Sequence, residues 1–273
     1  MQKDLIIDVG MHNGRDTEFY LAKGFRVAAI EPHPELVRQV EERLSPNLQE
    51  GRLRIYNLAV AEHKGTTTFW KNEQKDDWGT TRSDFADRTQ KAGTTNTPIT
   101  VPCRPFAEIL EECGTPYYLK IDIEGSELLC LDALKGREVP QYISVEADTG
   151  SPDELAAQLS VLKSLGYREF KIVNQGMNRA IRCPNPAREG RYVDARFDGF
   201  CSGLFGEEAP GKWASADELL RAARPLVRDQ QLFGTSSPHS ASLWSRGYRI
   251  FKRLLGNPVA WHDIHARIGP TPA

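Results

Sequence analysis

Short apolar runs alternate with segments of helical spacing along the first two thirds of the chain. Leu5-Ile6-Ile7-Asp8-Val9 is β-branched and ends in glycine, and Arg15 to Lys23 carries Phe19, Tyr20 and Ala22 at helical spacing before Gly24. A second run, Phe25 to Ile30, meets Glu31-Pro32-His33-Pro34, whose prolines end the strand and open a helix to about Leu44. Leu53 to Val60 reads as a third strand and Thr66 to Trp70 as a further extended piece. Lys71 to Pro98 is rich in Asp, Thr, Asn, Gln and Lys without apolar periodicity, so it reads as a long surface loop. Beyond it the pattern predicts a helix over Pro105 to Cys113, a strand over Tyr117 to Ile123 and a helix over Ser126 to Leu134. A strand over Tyr142 to Val145, a helix over Pro152 to Leu165 and a strand over Arg168 to Val173 follow.

Strands alternating with helices of this length imply right-handed crossovers, a mainly parallel sheet and a doubly wound α/β fold. Ligands of such sheets bind at the carboxyl ends of the strands. Asp8, Glu31, Asp122 and Glu146 all fall there. After Gly199 the pattern weakens: Phe200 to Phe205 reads as a last strand, Asp217 to Val227 as a helix, Gly234 to Ser242 as a linker and Trp244 to Leu255 as a mixed basic and apolar segment. We divide the chain into a catalytic domain, 1–210, and a C-terminal helical extension, 211–273.

The 273 residues are 40% hydrophobic and 26% charged with a formal charge of −2, the profile of a globular protein with no global bias toward nucleic acid. Cys103, Cys113, Cys130, Cys183 and Cys201 lack both zinc spacing and a disulfide pattern, and the N-terminal apolar run is short for a signal peptide or a membrane span, so we expect a cytoplasmic protein.

Asp8-Val9-Gly10-Met11-His12-Asn13-Gly14 follows a strand and opens a helix. Its glycines let backbone approach a ligand, and the helix N-terminus favours an anionic group. Glu31 ends the second strand, where a carboxylate can accept hydrogen bonds from both ribose hydroxyls. Together they suit an adenosine-containing ligand with an anionic end. NAD fits less well, because Gly10-x-x-x-Gly14 is not G-x-G-x-x-G. An acid ending the first strand also suits the cationic groups of S-adenosylmethionine better than a pyrophosphate.

Asp8 to Thr17, Ala29-Ile30-Glu31-Pro32 and, most specifically, Lys120-Ile121-Asp122-Ile123-Glu124-Gly125-Ser126-Glu127 resemble the FkbM family of S-adenosylmethionine-dependent methyltransferases over residues 4 to 205. His12 stands where many members carry asparagine. The resemblance implies a seven-stranded class I methyltransferase (Rossmann-like) sheet. It also implies a first loop, Asp8, Gly10, His12, Asn13, Gly14 and Thr17, around the methionine part, with Glu31 on the ribose and Ala59 and Val60 beside the adenine. Family members are mostly O-methyltransferases of sugars, polysaccharides, glycolipids and polyketide-derived products, so the implied acceptor is a hydroxyl of such a small molecule or glycan.

Transfer to oxygen benefits from a general base or a metal. Asp122 and Glu124 are candidate bases, Asp122 also touching the cofactor, and His265 in Trp261-His262-Asp263-Ile264-His265 is a third. Glu146 and Asp148 could join the two acids around Mg²⁺, though no metal is our expectation. His262 and His265 fall on one helical face if the tail is helical, a zinc-compatible spacing for which packing is the preferred reading. Trp78, in the polar stretch, is a candidate to stack on the acceptor, and Glu146 to bind it. The segment Arg246 to Arg253 suits docking on the parent domain or a peripheral membrane contact. A nicotinamide-dependent enzyme and a non-catalytic nucleotide- or sugar-binding module remain rivals. The acceptor and the oligomeric state are left open.

Overall fold

The N-terminal apolar run forms β1 (Gln2–Val9), whose last five residues are all buried, as in a central strand covered on both faces. The computed structural model describes residues 1–199, 201–234 and 242–269, and the chain divides into two units, Met1–Gln141 and Tyr142–Ala273. In the first unit β1 is followed by α1 (Arg15–Ala22), β2 (Arg26–Ile30), α2 (Pro34–Arg43), α3 (Ser45–Gln49), β3 (Leu53–Tyr56) and β4 (Ala59–Val60). Next come β5 (Gly65–Asn72), α4 (Ser83–Lys91), β6 (Asn96–Arg104), α5 (Phe106–Cys113), β7 (Pro116–Ile121) and α6 (Glu127–Ala133). Pro34 opens α2 at the position where a missing N–H costs nothing, and the helix buries Leu36, Val37 and Val40 on one face.

The order β3-β2-β1-β7 is parallel throughout. Val9 lies beside Ile30 on one side and Ile121 on the other, so the segments that follow β1, β2 and β7 leave from one edge. That register brings the Asp8 loop, Glu31 and Asp122 together.

The polar stretch 71–98 is not a loop. It holds the end of β5, a 3-10 turn at Asp76–Trp78, α4 and the start of β6. β5 pairs antiparallel with β6 from Gly65↔Cys103 to Asn72↔Asn96, and β4 joins the other side of β6. Apolar periodicity caught only the Thr66 to Trp70 part of β5 and missed the rest of this sheet, because its own core is small, with Ala59, Phe69, Val101 and Cys103 buried together. Amide side chains tie the remainder. Asn72 Nδ2 donates to Thr94 Oγ1 at 2.7 Å, and Asn96 Nδ2 to the Ala86 carbonyl at 2.7 Å and to Thr89 Oγ1 at 2.9 Å.

The second unit contains β8 (Tyr142–Glu146), α7 (Pro152–Ser164), β9 (Glu169–Asn174), α8 (Ala216–Phe233), α9 (Leu243–Leu254) and β10 (His262–Arg267). Ser215 and Glu218 cap α8 reciprocally. β10 pairs antiparallel with both β8 and β9. It corrects two expectations: the extension 211–273 is not wholly helical, and His262 and His265 lie on a strand rather than on one helical face. Burial explains the strand, since Ile264, Ala266 and His265 are each at most 2% exposed. The expected last strand is also corrected, because residues 201–205 are in no strand. Phe200, and 235–241 of the expected linker, lie outside the described residues.

Among the described residues the main sheet has seven strands, β3, β2, β1 and β7 in the first unit and β8, β10 and β9 in the second. The chain is α/β with a mainly parallel seven-stranded sheet, as expected. No helix among the described residues is long and apolar enough to cross a membrane.

Candidate active site

The loop after β1 turns on a position that only glycine tolerates. Gly10 has φ +86°, and a Cβ there would lie 1.7 Å from the Asp122 carbonyl oxygen. The Gly10 and Met11 N–H groups both donate to the Ile30 carbonyl at 3.0 Å, binding the loop to the end of β2. His12 is left-handed at φ 50°, and Gly14, at φ 75°, precedes the first residue of α1. Asn13 Oδ1 accepts from the Arg15 N–H at 3.2 Å, which closes the turn into the helix.

Below the loop lies a buried charge cluster. Asp8 is fully buried; its Oδ2 accepts from Thr17 Oγ1 at 2.7 Å and its Oδ1 from Lys120 Nζ at 3.2 Å. Lys120 also donates to the Gly10 carbonyl at 3.1 Å and lies 3.6 Å from carboxylate oxygens of Asp16 and Asp122. Burial works against the ammonium, but the carboxylates of Asp8, Asp122 and Asp16 outweigh it and hold the lysine well above its ordinary range. Each Asp8 oxygen thus accepts one hydrogen bond, and the pair of contacts braces the loop from below together with Thr17. Lys120 and Asp16 are the members of this cluster that pattern reading passed over. The signal was a lysine inside an otherwise apolar strand.

Glu31 is only 6% exposed and is held differently. Its Oε2 accepts from the His12 N–H at 2.8 Å and its Oε1 from the His33 N–H at 2.9 Å. Burial nevertheless keeps its carboxyl above the ordinary glutamate range, against the pull of those two N–H groups. Asn57 Nδ2 fixes the Glu31 backbone by donating to its carbonyl at 2.9 Å.

Asp122 follows β7 with a side chain 47% exposed. Glu124 sits at φ 49° and Gly125 at φ 96°, a sharp turn braced from the polar stretch. Thr80 Oγ1 donates to the Glu124 carbonyl at 2.9 Å, and Arg82 Nη1 to the Gly125 carbonyl at 3.0 Å. The 3-10 turn that carries Trp78 reaches the loop after β1 through His12 Nε2, 3.2 Å from Asp76 Oδ1. Trp78 is half-buried with the Lys75 ammonium 3.5 Å from its ring centroid.

The first unit therefore gathers Asp8, Gly10, His12, Asn13, Gly14, Thr17, Glu31, Asp122 and Glu124 around one sheet edge. Ala59 and Val60 are 2% and 5% exposed, with Ala59 inside the small sheet's core. In the second unit Glu146 ends β8, where its carbonyl accepts from Gln158 Nε2 at 2.6 Å. His265 is buried in β10, and burial pushes its imidazole down to about 3.

A glycine-shaped loop, a strand-end acid and a half-exposed acid lie at the edge of a parallel sheet where ligands of doubly wound folds bind. The family model described as the methyltransferase FkbM domain matches residues 8–169, and the chain belongs to that family. Among solved structures, an FkbM methyltransferase from Methylobacillus flagellatus KT is similar at 18% identity with a TM-score of 0.42, covering 62% of this chain and 40% of that one. A SAM-dependent methyltransferase from Archaeoglobus fulgidus is similar at 11% identity with a TM-score of 0.37, covering 97% and 86%. The chain thus matches well under half the length of the first of these. No curated protein matches it.

Proposed function

We propose that this methyltransferase takes its methyl group from S-adenosylmethionine and passes it to a hydroxyl oxygen of a sugar, glycan, glycolipid or related natural product. The observation that carries the donor is Glu31. Its buried carboxylate is aimed by two backbone N–H groups, and each oxygen keeps a lone pair with which to accept from a ribose hydroxyl. The loop from Gly10 to Gly14 and the start of α1 would hold the methionine end, braced from below by Asp8, Thr17 and Lys120. Ala59 and Val60 would border the adenine through the backbone. When bound, the donor supplies an electrophilic methyl on a cationic sulfur.

The protein's share of the chemistry is then to orient a hydroxyl and take its proton. Asp122 is half exposed beside the loop, and Glu124 is set on a strained turn; one of them serves as base. Trp78 and Glu146 are the acceptor-binding candidates. The division into a catalytic domain, 1–210, and an extension, 211–273, is part of this reading. So is a cytoplasmic setting, which the five free cysteines support.

Calorimetric titration of the chelator-treated protein with S-adenosylmethionine, S-adenosylhomocysteine and NAD tests the donor. Binding of the two sulfur ligands, weakened by Glu31→Ala, is expected. Binding of NAD alone, or of none, would overturn the reading. Donor binding without turnover on any hydroxylated acceptor would reduce the protein to a binding module.

A further inference from the structure

α9 is mounted on the protein by its polar side. Ser245 is 1% exposed. Tyr248 stacks on Phe233 with ring centroids 3.9 Å apart, and its hydroxyl donates to Asp229 Oδ1 at 2.7 Å. Lys252 pairs with Asp229 Oδ2 at 2.8 Å, and Arg249 Nη1 donates to the Phe233 carbonyl at 3.1 Å. At about 100° per residue these positions share one side of the helix, the side that meets α8. Leu243, Trp244, Ile250, Phe251 and Leu254 fall on the other and are between 55% and 88% exposed. A surface helix of a globular protein ordinarily faces the opposite way. Arg246 and Arg253 flank the apolar face and are exposed, and no acidic residue occurs between Ser242 and Leu255.

We propose that this outward face of α9 rests on an anionic lipid surface. The charge pattern selects the occupant: arginines beside an indole, a phenyl ring and leucines match a bilayer whose headgroups are negative and whose interior is apolar. A second copy of the same face would set like charges against one another. The helix has 12 residues, about 18 Å, against a hydrocarbon core of about 30 Å. It therefore lies in the interface and does not cross it.

Flotation of the full chain with vesicles tests this, using phosphatidylcholine alone and equal parts of phosphatidylcholine and phosphatidylglycerol. Binding is expected to the anionic vesicles and to weaken as salt rises. Arg246→Gln with Arg253→Gln should lower the partition roughly 30-fold, about fivefold for each basic side chain, and Trp244→Ser with Phe251→Ser should abolish it. These side chains are exposed, so circular dichroism and the melting temperature should not move. Two results would each overturn the proposal: failure to float with anionic vesicles, or binding that both double variants leave unchanged. A dimer seen by light scattering and lost in Trp244→Ser with Phe251→Ser, without vesicle binding, would instead assign the face to self-association.

Discussion

Asp8 and Glu31 stand near the carboxyl ends of neighbouring strands, both almost wholly removed from solvent, yet the fold treats them oppositely. Asp8 is met by a lysine ammonium and a threonine hydroxyl, so a buried cation balances its charge. Glu31 is met by two backbone N–H groups, and burial leaves its carboxyl easier to protonate than an ordinary glutamate. The lesson is that strand-end acids of similar burial can be held by a side-chain cation or by backbone N–H groups. Asp8 shapes the loop from beneath, whereas Glu31, in the function we propose, turns its remaining acceptor capacity to a ribose.

The largest expected effect erases the comparison altogether. Gly10→Ala puts a Cβ against the Asp122 carbonyl at a positive φ, and should cost about 4 kcal/mol or more in urea denaturation and abolish donor binding. Lys120→Met leaves buried carboxylates without their cation, at a cost of about 3 kcal/mol. Asp8→Asn, which leaves Lys120 its other acids, should cost less, about 2 kcal/mol. Equal losses for the last two would show that the cluster does not depend on its cation. Glu31→Gln sharpens the contrast: stability should stay within about 1 kcal/mol, while affinity for the donor falls about tenfold or more, read by calorimetry.

The smallest effects lie in the pH dependence. Lys120 is raised in the folded state, so its contribution is complete below its ordinary value of 10.5 and is lost as pH rises through the higher folded value. Lys120→Met should flatten that alkaline limb of stability. Glu31 is also raised, so its contribution is present below 4.5 and declines as pH rises through its folded value. The difference in stability between wild type and Glu31→Gln should therefore shift in favour of the variant over that window. A difference constant with pH would remove the claim that burial, rather than the N–H groups, dominates at Glu31.

Much of the main sheet was legible because its signals are local. Leu5 to Val9, Phe25 to Ile30 and Tyr117 to Ile121 are apolar runs that end beside acids or glycine, and each is a strand. Of the small sheet only Thr66 to Trp70 was legible, since Asn72, Thr94 and Asn96 hold the rest through side-chain hydrogen bonds that leave no apolar period. β10 escaped for a related reason: His262, Asp263 and His265 look like surface residues and are buried.

By itself the sequence determined the α/β alternation, the glycine-shaped loop and the strand-end position of Asp8, Glu31 and Asp122, because period, turn residues and strand ends are written within a few residues of one another. Only the tertiary structure decided that Asp8 is neutralised by a lysine 112 positions away, that Glu31 is held by backbone, and that α9 turns its apolar side outward. Those outcomes depend on which distant groups share a buried space, and burial sets both the strength of a charge's partners and the cost of lacking them.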